Sequence, residues 1–114
     1  MIEVSCHCGA VKLEVPTPPE QVSSCNCSIC TKIGGLWEYY NPADVRLLSP
    51  RESIDTYIWG DKSIQFCRCK TCGCTTHWES IDPEMTDRMG INARMMTAVD
   101  LSEIPIRYID GASF

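Results

Sequence analysis

The 114-residue sequence predicts a mainly β fold with little helix, and three observations carry that prediction. Seven prolines and seven glycines are scattered among short apolar stretches, which favours many short strands over long helices. Residues 10–15 alternate strictly, with Val11, Leu13 and Val15 on one face and Lys12 and Glu14 on the other. Residues 89–95 alternate in the same way, setting Met89, Ile91, Ala93 and Met95 against Gly90, Asn92 and Arg94. A chain of this length is expected to form one domain, residues 1–114, that buries roughly two-thirds of its unfolded surface.

The elements follow in order. The first strand, 10–15, is stopped by Pro16-Thr17-Pro18-Pro19. A short helical turn begins after Cys27 and ends at Gly34-Gly35. Further strands are predicted over 36–40, 45–48, 54–59, 63–69, 74–78, 89–95 and 106–109, with a second helical turn over 100–103. Asn41-Pro42, Ser49-Pro50, Gly60-Asp61 and Asp110-Gly111 supply turns between them.

Ten basic residues against fifteen acidic ones give a formal charge of −5, which excludes duplex nucleic acid as the default partner. No apolar run approaches the roughly 20 residues of a membrane span, and Met1–Cys6 is neither basic nor long and apolar, so no membrane partner and a cytoplasmic location are expected.

Nine cysteines are the informative feature. An odd count, clustered, in a chain without an export signal reads as metal ligands before disulfides. They fall in three groups: Cys6-His7-Cys8-Gly9, Cys25-Asn26-Cys27-Ser28-Ile29-Cys30, and Cys67-Arg68-Cys69-Lys70-Thr71-Cys72-Gly73-Cys74. In an extended chain Cys6 and Cys8 share a face. Cys69–Gly73 reads as a zinc knuckle, its turn relieved by a positive φ at Gly73. The two half-sites together would make one closed, structural Zn²⁺ site on Cys6, Cys8, Cys69 and Cys72. A rival assignment puts all four cysteines of 67–74 on one zinc and gives Cys6 and Cys8 to the middle group.

Cys25, Cys27 and Cys30 place three thiolates on one short segment. Three protein ligands and an open position is the arrangement of a catalytic zinc. The alternatives are a site closed by Cys67, Cys74, His7 or His77, and an unmetallated thiol cluster. A hairpin with Cys69–Cys72 at its tip would pair Cys67 with Cys74, as a labile disulfide, as metal donors or as small buried groups.

Taken in order, Cys6-His7-Cys8-Gly9-Ala10-Val11, Cys25-Asn26-Cys27-Ser28-Ile29-Cys30-Thr31-Lys32-Ile33-Gly34, and Cys69-Lys70-Thr71-Cys72-Gly73 resemble the pattern of the glutathione-dependent formaldehyde-activating enzyme and centromere-protein-V family. The resemblance implies a β-tent of small antiparallel sheets around zinc. It implies a structural zinc on Cys6, Cys8, Cys69 and Cys72 and a second, functional zinc on Cys25, Cys27 and Cys30, two ions per chain. It also implies a carbon–sulfur lyase that joins glutathione, or a similar small thiol, to formaldehyde or another small aldehyde as an S-hydroxymethyl adduct. The chain is short for the enzyme branch and carries the additional Cys67 and Cys74.

Other side chains are weighed beside these. Lys32 could steady an anion near the second zinc, or be an exposed lysine. His77, alternating with Thr75 and Glu79, is a proton-transfer candidate or a satisfied histidine, and His7 is expected to face away from the metal. Trp37, Tyr39 and Tyr40 are core or pocket wall, and Met85, Met89, Met95 and Met96 are core filler. The function expected is a thiol–aldehyde lyase. The alternatives are a non-enzymatic interaction module with both zincs structural, and a thiol redox or metal-buffering protein.

Overall fold

The computed structural model describes residues 1–60, 63–85 and 87–113, so Asp61 of the expected Gly60-Asp61 turn lies outside the described residues. Ten strands are described: β1 (Ile2–Ser5), β2 (Lys12–Val15), β3 (Val22–Cys25), β4 (Trp37–Tyr40), β5 (Arg46–Leu47), β6 (Ile54–Ile58), β7 (Ile64–Cys69), β8 (Thr75–Ser80), β9 (Met89–Asn92) and β10 (Ile106–Ile109). One α-helix, α1 (Ser28–Ile33), follows β3, and the other helical turns are 3₁₀. The fold is mainly β, as the sequence predicts. No helix among the described residues is long and apolar enough to cross a membrane.

The strands form a three-stranded sheet, β1-β2-β5, and a seven-stranded sheet, β10-β3-β4-β9-β8-β7-β6. The pairings are antiparallel except that of β10 on β3, which is parallel, with Ile106 opposite Val22 and Ile109 opposite Cys25. The alternation of 10–15 places Leu13 and Val15 inward with Val4 and Val11, where they meet Val22, Leu36, Ile91 and Ala93. The two sheets are tied by a bridge between Val4 and Met96. A second apolar cluster, Trp37, Phe66 and Trp78, lies on the other face of the large sheet. It fixes Gly90, opposite Trp78 on β9: a Cβ there would stand 2.0 Å from the indole Nε1.

Three differences from the expected elements have physical causes. The alternation of 89–95 breaks at Asn92, which is 2% exposed. Its Oδ1 accepts from the N–H of Leu36 and of Arg94, and its Nδ2 donates to the Thr75 carbonyl, so the chain turns into 3₁₀ at Ala93–Met95. Strands β1 and β3 form from segments with weak patterns of their own, held by their neighbours. Between β7 and β8 the register shifts at Cys67/Arg68, pairing Cys67 with His77 and Arg68 with Thr75. Cys67 is therefore not the cross-strand neighbour of Cys74, as the symmetric hairpin would have it. The shift leaves Thr76 as the extra residue of a bulge, so Thr76, His77 and Trp78 are buried in succession.

Candidate metal centres

The knuckle at the end of β7 and the loop after β1 bring Cys6, Cys8, Cys69 and Cys72 together, their sulfurs all within 4.8 Å of one another. Gly9 (φ 85°) and Gly73 (φ 79°) follow the two half-sites in the left-handed region, where a Cβ is strained. The Cys6–Cys8 and Cys8–Cys69 sulfur separations are 3.7 and 3.6 Å. Four sulfurs bound tetrahedrally at about 2.3 Å from one ion lie about 3.8 Å apart, so the donor set has the size of a zinc–thiolate centre. Backbone N–H groups point at the sulfurs: Val11 to Cys6 at 3.3 Å, and Thr71 and Cys72 to Cys69 at 3.3 and 3.4 Å. The N–H groups of Cys74 and Cys8 hold the Cys72 thiol down to about 5, and those of Cys72 and Thr71 hold Cys69 below its ordinary value. Such donors stabilise thiolate, the form a metal takes.

The second group is Cys25 at the end of β3, Cys27 at the N-cap of α1, and Cys30 in its first turn. Their sulfurs lie within 4.8 Å of one another, and among the described residues no fourth His, Cys, Asp or Glu joins them. The candidates for closing this site lie elsewhere: Cys67 and His77 pair with each other on β7 and β8. Burial, then the neighbouring sulfurs of Cys27 and Cys25, push the Cys30 thiol far up. Burial also acts upward on Cys27, but the Cys30 N–H and the Cys30 and Cys25 side chains outweigh it and the thiol is lowered. Three sulfurs this close cannot all ionise without a compensating cation, which is the electrostatic case for a dication here.

A cleft of about 490 Å³ opens beside this group, with Cys25 and Cys30 in its wall and Gly34, Arg94, Tyr108 and Asp110 around it. The Arg94 Nε–H donates to the Gly34 carbonyl at 2.7 Å, which fixes the guanidinium on one rim. Tyr108, Ile109 and Asp110 form another part of the wall. Asn26 receives the Ala112 N–H at Oδ1 (3.0 Å) and gives Nδ2–H to Asp110 (2.9 Å), and its own N–H reaches the Ile109 carbonyl (3.1 Å). Gly111 then passes so near the cluster that a Cβ there would stand 2.4 Å from Cys25 Sγ. Gly111→Ala is expected to displace that sulfur. Thiol titration and metal retention at Cys25, Cys27 and Cys30 should change markedly, while stability moves by only about 1–3 kcal/mol. Unchanged cluster chemistry would show that the contact relaxes freely.

The remaining candidates sort into structural roles. Lys32 is exposed on α1 and His7 is exposed between its two cysteines. Trp37 is core, Tyr39 packs on Trp78 under the Arg88 guanidinium, and the Tyr40 hydroxyl donates to the Thr17 carbonyl. Met89 and Met96 are buried, and Met85 and Met95 half-buried.

A third convergence was not foreseen. Cys67, His77 and Glu79 bring their donor atoms within 4.8 Å of one another. The signal was partly present in the sequence, since His77 and Glu79 alternate onto one face, but the bulge that sets Cys67 opposite His77 has no mark in it. Burial, helped by Arg51 and opposed by Glu79, lowers the His77 pKa to about 4. The folded chain thus resists a proton that the unfolded chain takes up below about 6.5. While no metal sits on His77, stability is full above that pH and falls as pH drops towards 4, by roughly 3 kcal/mol in total. In paired urea titrations His77→Gln is expected to remove this part of the slope, and parallel profiles would refute the assignment.

The family model described as glutathione-dependent formaldehyde-activating enzyme matches residues 1–104. A Halomonas elongata protein, whose name places it among glutathione-dependent formaldehyde-activating enzymes, is 50% identical over 36 residues. That match covers 31% of this chain and 23% of the relative, so the chain spans under a quarter of that protein. A crystal structure of a Rhodobacter sphaeroides protein superposes with a TM-score of 0.78 at 25% identity, covering 92% of this chain and 99% of the other.

Proposed function

The chain belongs to the glutathione-dependent formaldehyde-activating enzyme family, and from that premise we propose that it is a zinc-dependent carbon–sulfur lyase acting on adducts of a small thiol and a small aldehyde, of the S-hydroxymethylglutathione type. The observation that carries the reading is the coincidence of a three-sulfur cluster, with no fourth protein donor among the described residues, and a cleft that has two of those sulfurs in its wall. In this reading residues 1–114 form one unit, with a structural zinc on Cys6, Cys8, Cys69 and Cys72 and a second zinc on Cys25, Cys27 and Cys30. When bound, the second ion supplies a Lewis-acid position for a thiol sulfur or a carbonyl oxygen. A cytoplasmic location suits nine free thiols, which a reducing compartment preserves.

The residues around the cleft do the rest. Arg94, fixed through Nε, has its two terminal nitrogens to offer a substrate carboxylate. Asp110, held by Asn26 and by Ser113 and also in the cleft wall, offers a carboxylate to an ammonium group. A peptide thiol such as glutathione carries both kinds of group. The reaction itself joins a thiol S–H across an aldehyde C=O: the C–S bond forms, the proton passes from sulfur to oxygen, and the reverse step releases both reactants. These partners combine readily unaided, so holding them together in the cleft is the protein's main task.

The test is the rate of adduct formation from formaldehyde and glutathione, followed with the zinc-loaded protein and with chelator-treated protein. Acceleration by the loaded protein alone supports the reading. Equal rates with both proteins, across several small thiols, would leave an interaction module with two structural metals as the better account.

A further inference from the structure

We propose that Cys67, His77 and Glu79 form a third metal site, for a d-block dication of borderline softness such as zinc, on a donor set distinct from the two cysteine clusters. All three donors project from one face of the β7–β8 ladder. Cys67 stands directly opposite His77, and Glu79 stands opposite Gln65 one pleat further along. Sulfur, imidazole nitrogen and carboxylate oxygen within 4.8 Å of one another make the mixed set that zinc accepts, and three protein donors leave it a fourth position.

What separates this cluster from a chance grouping is the shell around it. The Thr76 hydroxyl donates its single proton to the Cys67 carbonyl at 3.5 Å and lies 2.8 Å from His77 Nδ1. With Nδ1 engaged by that hydroxyl, Nε2 is the ring nitrogen that remains for a metal. The bulge that makes Thr76 the extra residue creates this arrangement. Glu79 is held in the same manner: the Arg51 guanidinium and Gln65 Nε2 (2.7 Å for the latter) both donate to Oε1, which fixes the carboxylate within 4.8 Å of the Cys67 and His77 donor atoms. Metal-bound histidines and carboxylates are oriented by outer partners of this kind. Binding exchanges ions in balance: the dication enters, the Cys67 S–H proton leaves to solvent, and sulfur becomes the thiolate ligand. His77 is 2% and Cys67 0% exposed, so the ion would be enclosed as chain and metal fold together.

The experiment is a metal count on the full chain, reduced, unfolded in urea and refolded with zinc alone, beside Glu79→Gln and Cys67→Ser treated in the same way. Both substitutions keep the size of the side chain. The expected result is one zinc per chain fewer in each variant than in the unmodified protein, with unchanged far-ultraviolet circular dichroism. Counting by difference makes the outcome independent of how full the Cys25–Cys27–Cys30 cluster is. Equal counts in folded variants overturn the proposal. Cadmium-113 NMR of the unmodified chain decides the matter without any variant. A signal well upfield of the thiolate-rich sites is expected from a site with one sulfur, and a spectrum holding only thiolate-rich signals overturns the proposal.

Discussion

Cys69→Ser is expected to cost the protein most of its stability and to lower its yield of folded chain sharply. Cys69 is 1% exposed and Cys6 3%, so their sulfurs are part of the apolar core as well as of the four-sulfur cluster. The cluster joins Cys8 to Cys69 across 61 positions, stitching the small sheet to the β7–β8 hairpin. In a closed zinc site the binding free energy is folding free energy, about 10–16 kcal/mol in small zinc-finger peptides. A domain of this class is stable by only about 5–15 kcal/mol, so losing even a fraction of that contribution is decisive. Urea unfolding followed by tryptophan fluorescence measures it. The loss should be several kcal/mol and should be mimicked by a strong chelator acting on the unmodified chain. Cys74→Ser, outside the four-sulfur group, is the control and should shift stability by about 1 kcal/mol or less. A Cys69→Ser protein as stable as the control would show that the cluster is dispensable to the fold.

Cys27→Ser should have the opposite signature. Cys27 is half-buried at the N-cap of α1, and its sulfur reaches neither apolar cluster. Removing it leaves two thiolates, one short of the three that define the open site. The thiol–aldehyde rate should fall to the unassisted background, and one zinc per chain should be lost. The melting temperature should move by only a few degrees. If instead the variant unfolds as Cys69→Ser does, the second cluster is a structural staple and the lyase reading falls. Activity unchanged in a folded variant would place the chemistry away from these sulfurs.

Much of this architecture was legible from spacing. The two half-sites around Gly9 and Gly73, and the group Cys25, Cys27 and Cys30, needed only short local geometry, and each meets its partners where the spacing puts them. The strict alternation of 10–15 became β2 because one face of that strand is fully buried. What could not be read was non-local. Val22–Cys25 has too little apolar pattern to announce a strand, and it becomes one because β10 lies parallel to it and supplies its hydrogen bonds. The cut of β9 at Asn92 depends on a side-chain amide satisfied from three separate segments. The hairpin closes with Cys69 bonded to Cys74, which already sets Cys67 off from Cys74, and the bulge at Thr76, a property of two strands at once, moves it one residue further onto His77.

The parallel pairing of β10 on β3 also has a consequence for the protein while it is being made. Cys25, Cys27 and Cys30 leave the ribosome together, as a compact chelating peptide. The second half of the four-sulfur cluster follows a few seconds later, at roughly 5–20 residues added per second. The cleft-wall residues Tyr108, Ile109 and Asp110 emerge later still. On the two-zinc reading, a nascent chain meets metal first at Cys25, Cys27 and Cys30, before β10, which flanks them, exists. On that reading the order of loading follows the direction of synthesis, and the ion presented early has first claim on those three sulfurs.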